Sequence, residues 1–195
     1  KMRKFAKEYY NNLSKYLTLI RVTGKNAQSF NFFEGIEKAG KLIKLQAGFG
    51  CKLMFIGNGA SAAISSHMST DFWKNGGIRA IAFNDSSLLT CLGNDYGYEY
   101  IFEKSIEMFA EEGDILVAIS SSGESENILR GARFAKKKEC KIITLTGFKK
   151  NNPLSSTGDF NFYVPAQSYG PVEIIHHSIC HSILDMILKE KNGSI

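Results

Sequence analysis

The residues able to do chemistry fall in a few groups along the chain. Ser120-Ser121-Ser122-Gly123-Glu124-Ser125 follows the apolar run 115–119 and precedes a helical pattern at Asn127, Ile128, Leu129, Ala132, Phe134 and Ala135. A buried strand that ends in hydroxylated residues at a helix start builds an anion site. The unpaired N–H groups and the positive end of the helix face the ligand, and serine hydroxyls add donors without bulk. A phosphate suits such a loop, whereas a metal ion or an apolar group does not. The plainer explanation is an ordinary strand–turn–helix with serine caps. A second loop of the same kind weighs against it. Gly57-Asn58-Gly59-Ala60-Ser61 closes the apolar run 52–56, and its two glycines permit a tight turn and close approach of a ligand to the backbone. The loop matches neither the dinucleotide glycine pattern nor the P-loop.

The second kind of chemistry is ionisable. His67 and Asp71 are four apart within residues 60–74, a span of otherwise small or apolar residues. That spacing puts both side chains on one helix face, suited to a divalent ion, to acid/base work or simply to a surface pair. Near the end of the chain, Glu173, His176, His177 and His181 lie among Val172, Ile174, Ile175, Ile179, Ile183, Leu184, Met186 and Ile187. A helix this apolar is buried, and buried ionisable groups need partners. With that helix beside 60–74, His67, Asp71, Glu173 and His181 would supply two imidazoles and two carboxylates. Such a set can hold zinc or a similar ion, or move a proton between neighbouring carbons.

The elements that must position these groups alternate. Apolar runs at 52–56, 79–83, 114–119, 141–146 and 160–164 read as strands, with helices at 60–74, 125–137 and 171–190 and short helices after the loop 84–86 through residue 109. Five strands alternating with helices imply an α/β fold, a doubly wound five-stranded parallel sheet with right-handed crossovers. Ligands then sit outside the carboxyl ends of the strands, where both small-residue loops lie. Residues 2–20 and 29–47 carry apolar groups at steps of three and four. They are expected to form two N-terminal helices, an extension over residues 1–47 that packs on another subunit or on the sheet's flank. The 195 residues read as a single domain.

The charge of +5 favours an anionic small molecule, and no long basic stripe with interleaved aromatics points to nucleic acid. No apolar run has the length of a membrane span. Cys51, Cys91, Cys140 and Cys180 are scattered rather than paired, which fits reduced thiols in a cytoplasmic location.

Several motifs together are more specific than any one of them. Gly57 to Ser61, His67-x-x-x-Asp71, Leu92-Gly93-Asn94-Asp95-Tyr96-Gly97, Ser120 to Ser125, Leu145-Thr146-Gly147 and the histidine-rich last helix resemble the phosphoheptose isomerase family of sugar isomerase (SIS) domain proteins. The likeness runs from about residue 2 to residue 188. It implies a SIS fold and an aldose–ketose isomerase that converts sedoheptulose 7-phosphate to a heptose 7-phosphate for surface polysaccharide, through an ene-diol. It implies a homotetramer whose N-terminal helices join a central bundle. Substrate phosphate would rest on Ser120, Ser121, Ser122 and Ser125. Asn58, Gly59 and Ala60 would line the sugar with Asn94 and Asp95 nearby, and Asp71 and Glu173 would also meet substrate. Asp71 and His181 would be catalytic, and one Zn2+ per subunit would fall on His67, Asp71, Glu173 and His181.

The sequence departs from the family's usual residues at three points. Asp71 stands where glutamate is usual, Glu173 where glutamine is usual, and the first loop reads Gly59-Ala60-Ser61 rather than Gly-Gly-Ser. Some SIS proteins bind sugar phosphates without turning them over, and one relative binds the bacterial replication initiator. Retention of Asp71 and His181 favours catalysis over such a binding role. An isomerase for a hexose or pentose phosphate is a further alternative.

Overall fold

The computed structural model describes residues 1–191 and 193. Its centre is the expected parallel sheet. Strands β3 (Leu53–Gly57), β4 (Ala80–Ala82), β5 (Ile115–Ser120), β6 (Lys141–Thr146) and β7 (Phe160–Tyr163) pair in parallel. The five-strand expectation is incomplete, however. Two more strands, β1 (Arg21–Gly24) and β2 (Ser29–Phe30), form a hairpin whose β1 runs antiparallel to β7. The result is a seven-stranded mixed sheet in the order β2-β1-β7-β6-β5-β3-β4.

The hairpin carries little of a strand's signature. Its burial is confined to Val22 and, in part, to Thr23, Gly24 and Phe30. Its turn holds Asn26 at φ 56° and Ala27 at φ 59°, and alanine gives no sequence cue for the left-handed region. Helix α1 spans Met2–Thr18 and α2 spans Phe32–Gly48. The second starts later than its periodicity implies because Asn31 caps it, its Oδ1 accepting the Glu34 N–H at 2.9 Å.

Strands β3 and β5 are buried along their whole length, so alternate side chains feed two cores. Leu53, Phe55, Ile115, Val117 and Ile119 pack under α2, α3 (Ala60–Lys74) and the long α7 (Tyr169–Lys191). Met54, Ile56, Leu116 and Ala118 pack under α5 (Ile101–Phe109) and α6 (Glu126–Lys137). Helix α4 (Ser86–Asp95) lies at the periphery with no buried residue. The consequence for function is that α3 and α7 share one face of the sheet, as the polar pattern required.

The two tight loops rest on glycine. A Cβ on Gly57 would lie 2.5 Å from the Ser61 carbonyl oxygen, so the chain turns from β3 into α3 only with hydrogen there. Gly123 sits at φ +65°, and a Cβ would meet Asn152 Oδ1 at 2.0 Å. Asn152 is itself buried and fixed, accepting the Ser155 N–H at 3.0 Å and donating to the Lys149 carbonyl at 2.8 Å. A rigid asparagine thus backs the serine loop.

Candidate active site

The loops after β3 and β5 meet in a cleft of about 240 Å³ at the carboxyl edge of the sheet. Asn58, Gly59, Ala60 and Ser61 line one wall; Ser120, Ser121, Ser122 and Ser125 line another; Tyr169 and Glu173 of α7 close it. Gly59 and Ser125 are the N-cap residues of α3 and α6, and neither helix start has a side-chain cap bond. The N–H groups of Ser61 and Ala62 bond the Asn58 and Gly59 carbonyls and that of Ile128 bonds Asn127 Oδ1, which leaves those of Ala60, Glu126 and Asn127 at the two helix starts for a ligand, the chemistry of an anion site. Ser120 Oγ accepts the Gly123 N–H at 3.1 Å and Ser122 Oγ accepts the Glu124 N–H at 3.2 Å. These bonds set the loop's shape and leave both hydroxyl protons to donate.

Asn58 is held from behind. Its Nδ2 donates to Asn127 Oδ1 and its Oδ1 accepts from Asn127 Nδ2, both at 2.9 Å. The Tyr98 hydroxyl adds a third bond to Asn58 Oδ1 at 3.1 Å. This clasp ties the loop after β3 to the first turn of α6. Sequence reading did not single out Asn127 or Tyr98. Asn127 lies two residues beyond Ser125 and was legible only as part of a helical pattern.

A second cluster lies further along α7. The rings of His67, His177 and His181 sit with centroids 4.9, 5.3 and 4.6 Å apart, and one ligand nitrogen from each falls within 4.8 Å of the others. His67 Nε2 is 3.1 Å from Asp71 Oδ2, and the other oxygen, Oδ1, accepts from Asn75 Nδ2 at 3.2 Å. His177 Nε2 is buried without a hydrogen-bond partner. Its burial, with His181 and His67 beside it, lowers its pKa below the ordinary imidazole value. The neutral ring keeps a lone pair available as a ligand.

The fourth histidine plays a different part. His176 points into the core, with Nε2 3.0 Å from the Thr146 carbonyl oxygen. Burial pushes its pKa down to about 4, so it is a neutral core residue.

The structure thus separates the expected residues into two places. Asn58, Gly59, Ala60, Ser120, Ser121, Ser122, Ser125 and Glu173 share the cleft. His67, Asp71 and His181 gather at the histidine cluster, which His177 joins. Glu173 stands at the cleft and outside the group of three close nitrogens. Asn94 and Asp95 lie in the exposed last turn of α4, bonded to each other at 2.9 Å, and do not line the cleft within this chain. A larger groove of about 1310 Å³ opens at the opposite edge, between the β1–β2 hairpin and the start of β6. It holds none of the loop serines 120–125 and none of the histidines, so size alone does not mark the candidate cleft.

A serine-lined cleft at the carboxyl edge of a parallel sheet, with helix starts converging on it, gives an α/β protein with the chemistry of an anion site. Residues 8–147 match the model of the SIS domain, and the chain belongs to that family. Within it the chain sides with the phosphoheptose isomerases. It is 36% identical to the phosphoheptose isomerase of Photorhabdus laumondii over 163 residues, 80% of this chain and 84% of that one. It is 34% identical to that of Helicobacter hepaticus over 173 residues, 85% of this chain and 88% of the other. Its fold superposes on the structure of a phosphoheptose isomerase from Francisella tularensis with a TM-score of 0.83, at 28% identity, over 96% of this chain and 98% of that one.

Proposed function

We propose that the protein is an aldose–ketose isomerase that converts sedoheptulose 7-phosphate to a heptose 7-phosphate. The carrying observation is that one rigid helix, α7, borders both the serine cleft and the histidine cluster. An extended sugar phosphate can be held at its phosphate by the first and worked on at its other end by the second. The activity named for the relatives supports this reading.

In this reading the phosphate rests on Ser120, Ser121, Ser122 and Ser125 and on the free N–H groups at the start of α6. Binding energy gathered there is remote from the reacting carbons and positions them. Asn58, Gly59 and Ala60 meet the sugar. Asp71 takes the proton from the carbon beside the carbonyl, giving an ene-diol. His181 moves a proton on the adjoining oxygens, and the proton held by Asp71 returns to the neighbouring carbon. No outside oxidant or reductant is needed, because one carbon is oxidised as its neighbour is reduced. The His67 bond at 3.1 Å fixes the Asp71 carboxylate in place.

A divalent ion fits the donor set. Imidazole nitrogens converge, and the orphaned Nε2 of His177 asks for a partner. His67 and His181 would hold zinc, with the Asp71 carboxylate beside His67. Bound there, it would polarise the substrate's carbonyl and ene-diol oxygens.

The assembly we propose is a homotetramer built through the two N-terminal helices, α1 and α2, an extension to the domain. Helix α1 buries none of its residues within the chain, although Met2 is 88% exposed and Phe5 68% exposed. A second copy is the simplest cover for that face. Among the described residues no helix is long and apolar enough to cross a membrane. We place the reaction in the cytoplasm, where buried thiols such as Cys140 and Cys180 stay reduced.

The test is an NMR assay of the purified protein with sedoheptulose 7-phosphate, fructose 6-phosphate and ribulose 5-phosphate, with and without zinc. Conversion of the seven-carbon ketose is expected, with solvent deuterium entering at the carbon beside the carbonyl. Asp71→Asn should slow that exchange by at least ~10²-fold. If no ketose phosphate is converted, the protein is a binding module. If the variant exchanges at the wild-type rate, Asp71 is not the base.

A further inference from the structure

We propose that His177 is a metal ligand, so that zinc is held by three imidazoles, those of His67, His177 and His181, while Glu173 is left to face substrate. This rests on the metal-assisted isomerase reading above and names the ligand set of the same site.

The geometry comes first. His177 and His181 are one turn apart on α7, their rings 4.6 Å apart and tilted by 36°. His67 enters from α3 with its ring at 78° to both. The ligand nitrogens lie within 4.8 Å of one another. Tetrahedral zinc at about 2.0–2.1 Å from each nitrogen holds its ligands about 3.4 Å apart. Small side-chain rotations of the three rings close that difference, His67 being half exposed.

The polar accounting comes second. His177 Nε2 is buried and unpartnered. A buried polar atom without a bond costs free energy, and native structures rarely leave one so. An ion between the three rings would satisfy it. Behind the cluster, Asp71 bonds His67 Nε2 and Asn75 bonds Asp71. With Nε2 facing the carboxylate, Nδ1 is left for the ion, and the carboxylate–histidine–metal relay orients the ring.

The rival ligand is Glu173. It sits one turn before His177, about 6 Å along the helix axis, and its side chain lines the serine cleft. An all-nitrogen set also makes a chemical statement. Imidazole favours zinc and its neighbours in the transition series, whereas magnesium and calcium seek oxygen. Three protein ligands leave a position open for substrate oxygens.

The experiment measures zinc directly on the full chain after chelator stripping. Zinc affinity is read by competition with a chromophoric chelator, and the cobalt-substituted protein is read by its visible absorption. His177→Ala should weaken zinc by at least ~10²-fold, beyond the effect usual for residues behind the ligands, and should change the cobalt spectrum. Glu173→Ala, which removes the side-chain oxygens, should leave zinc affinity within about threefold, the ligand set being unchanged. His177→Phe, which keeps the ring's bulk, guards against a simple folding defect and should lose zinc equally. Added imidazole should restore part of the affinity of His177→Ala. The proposal is overturned if either His177 variant binds zinc like wild type, if Glu173→Ala loses zinc, or if the unmodified protein binds none. Zinc bound through His177 without sugar conversion would instead overturn the isomerase reading alone.

Discussion

Ser125→Ala separates binding from folding. A serine at a helix N-cap ordinarily stabilises the helix, and its loss costs about 0.5–2 kcal/mol. Here Ser125 caps α6 in extended backbone geometry, at φ −66° and ψ 117°, without a side-chain bond to the helix. The substitution should therefore change unfolding free energy by less than about 0.5 kcal/mol, as for other positions without a special role. The hydroxyl lines the cleft instead, and in the proposed function it serves the phosphate. Losing one hydrogen bond to a charged group costs about 1.5–3 kcal/mol, a rise in Kd of roughly 10- to 150-fold. Isothermal calorimetry with a sugar phosphate and urea denaturation of the same preparation give both numbers. Ser120→Ala is the contrast, because its Oγ holds the Gly123 N–H at 3.1 Å, so it should lose stability as well as affinity. If Ser125→Ala loses stability and keeps its phosphate affinity, the hydroxyl is a cap and the reasoning fails.

Two further outcomes follow from buried charge and titration. Asp114 is 1% exposed and binds Lys52 Nζ at 2.6 Å while accepting the N–H groups of Lys52 and Glu111; Asp114→Ala should cost about 3–5 kcal/mol in urea unfolding, as for other buried pairs that lose one partner. The pKa of His176 falls from 6.5 in the unfolded chain to about 4 in the folded one, so its contribution is full above pH 6.5 and is lost as pH falls toward 4. Unfolding free energy should drop by up to about 3 kcal/mol across that window, and denaturation curves of wild type and His176→Gln should show the variant losing most of that slope.

Much of this architecture was legible because its strands are buried on both faces. Leu53 to Ile56 and Ile115 to Ile119 form continuous apolar runs, and each stops at small residues that can only be a tight loop. The β1–β2 hairpin was not legible, since its best-buried side chain is the lone Val22 and its turn uses an alanine at positive φ. The serine loop and its place in a cleft could be read from residue types. The partition of α7 could not. Four residues advance a helix by about 40° beyond a full turn, so Glu173 stands about 80° from His181 and His177 about 40°. Which of them faces α3 depends on the helix's rotation against the sheet. That rotation is set by Val172, Ile175, Ile179 and Ile183 packing into the core, which a pattern apolar on nearly every side does not specify.

The hairpin also decides what the sheet's margins can do. Beyond β7 the sheet ends on β2, two residues long, and on the far side it ends on β4, three residues long. A strand edge with free N–H and C=O groups recruits other chains, and long flat edges invite fibrous aggregation. Here either margin offers a visitor at most a few rungs. Without β1 and β2, the edge of β7 would lie bare along four residues that pair with β1 in register, Tyr163 to Phe160. The small antiparallel flap works as a hem: it finishes the fabric on its open side and leaves the helical surfaces as the places where copies of the chain can meet.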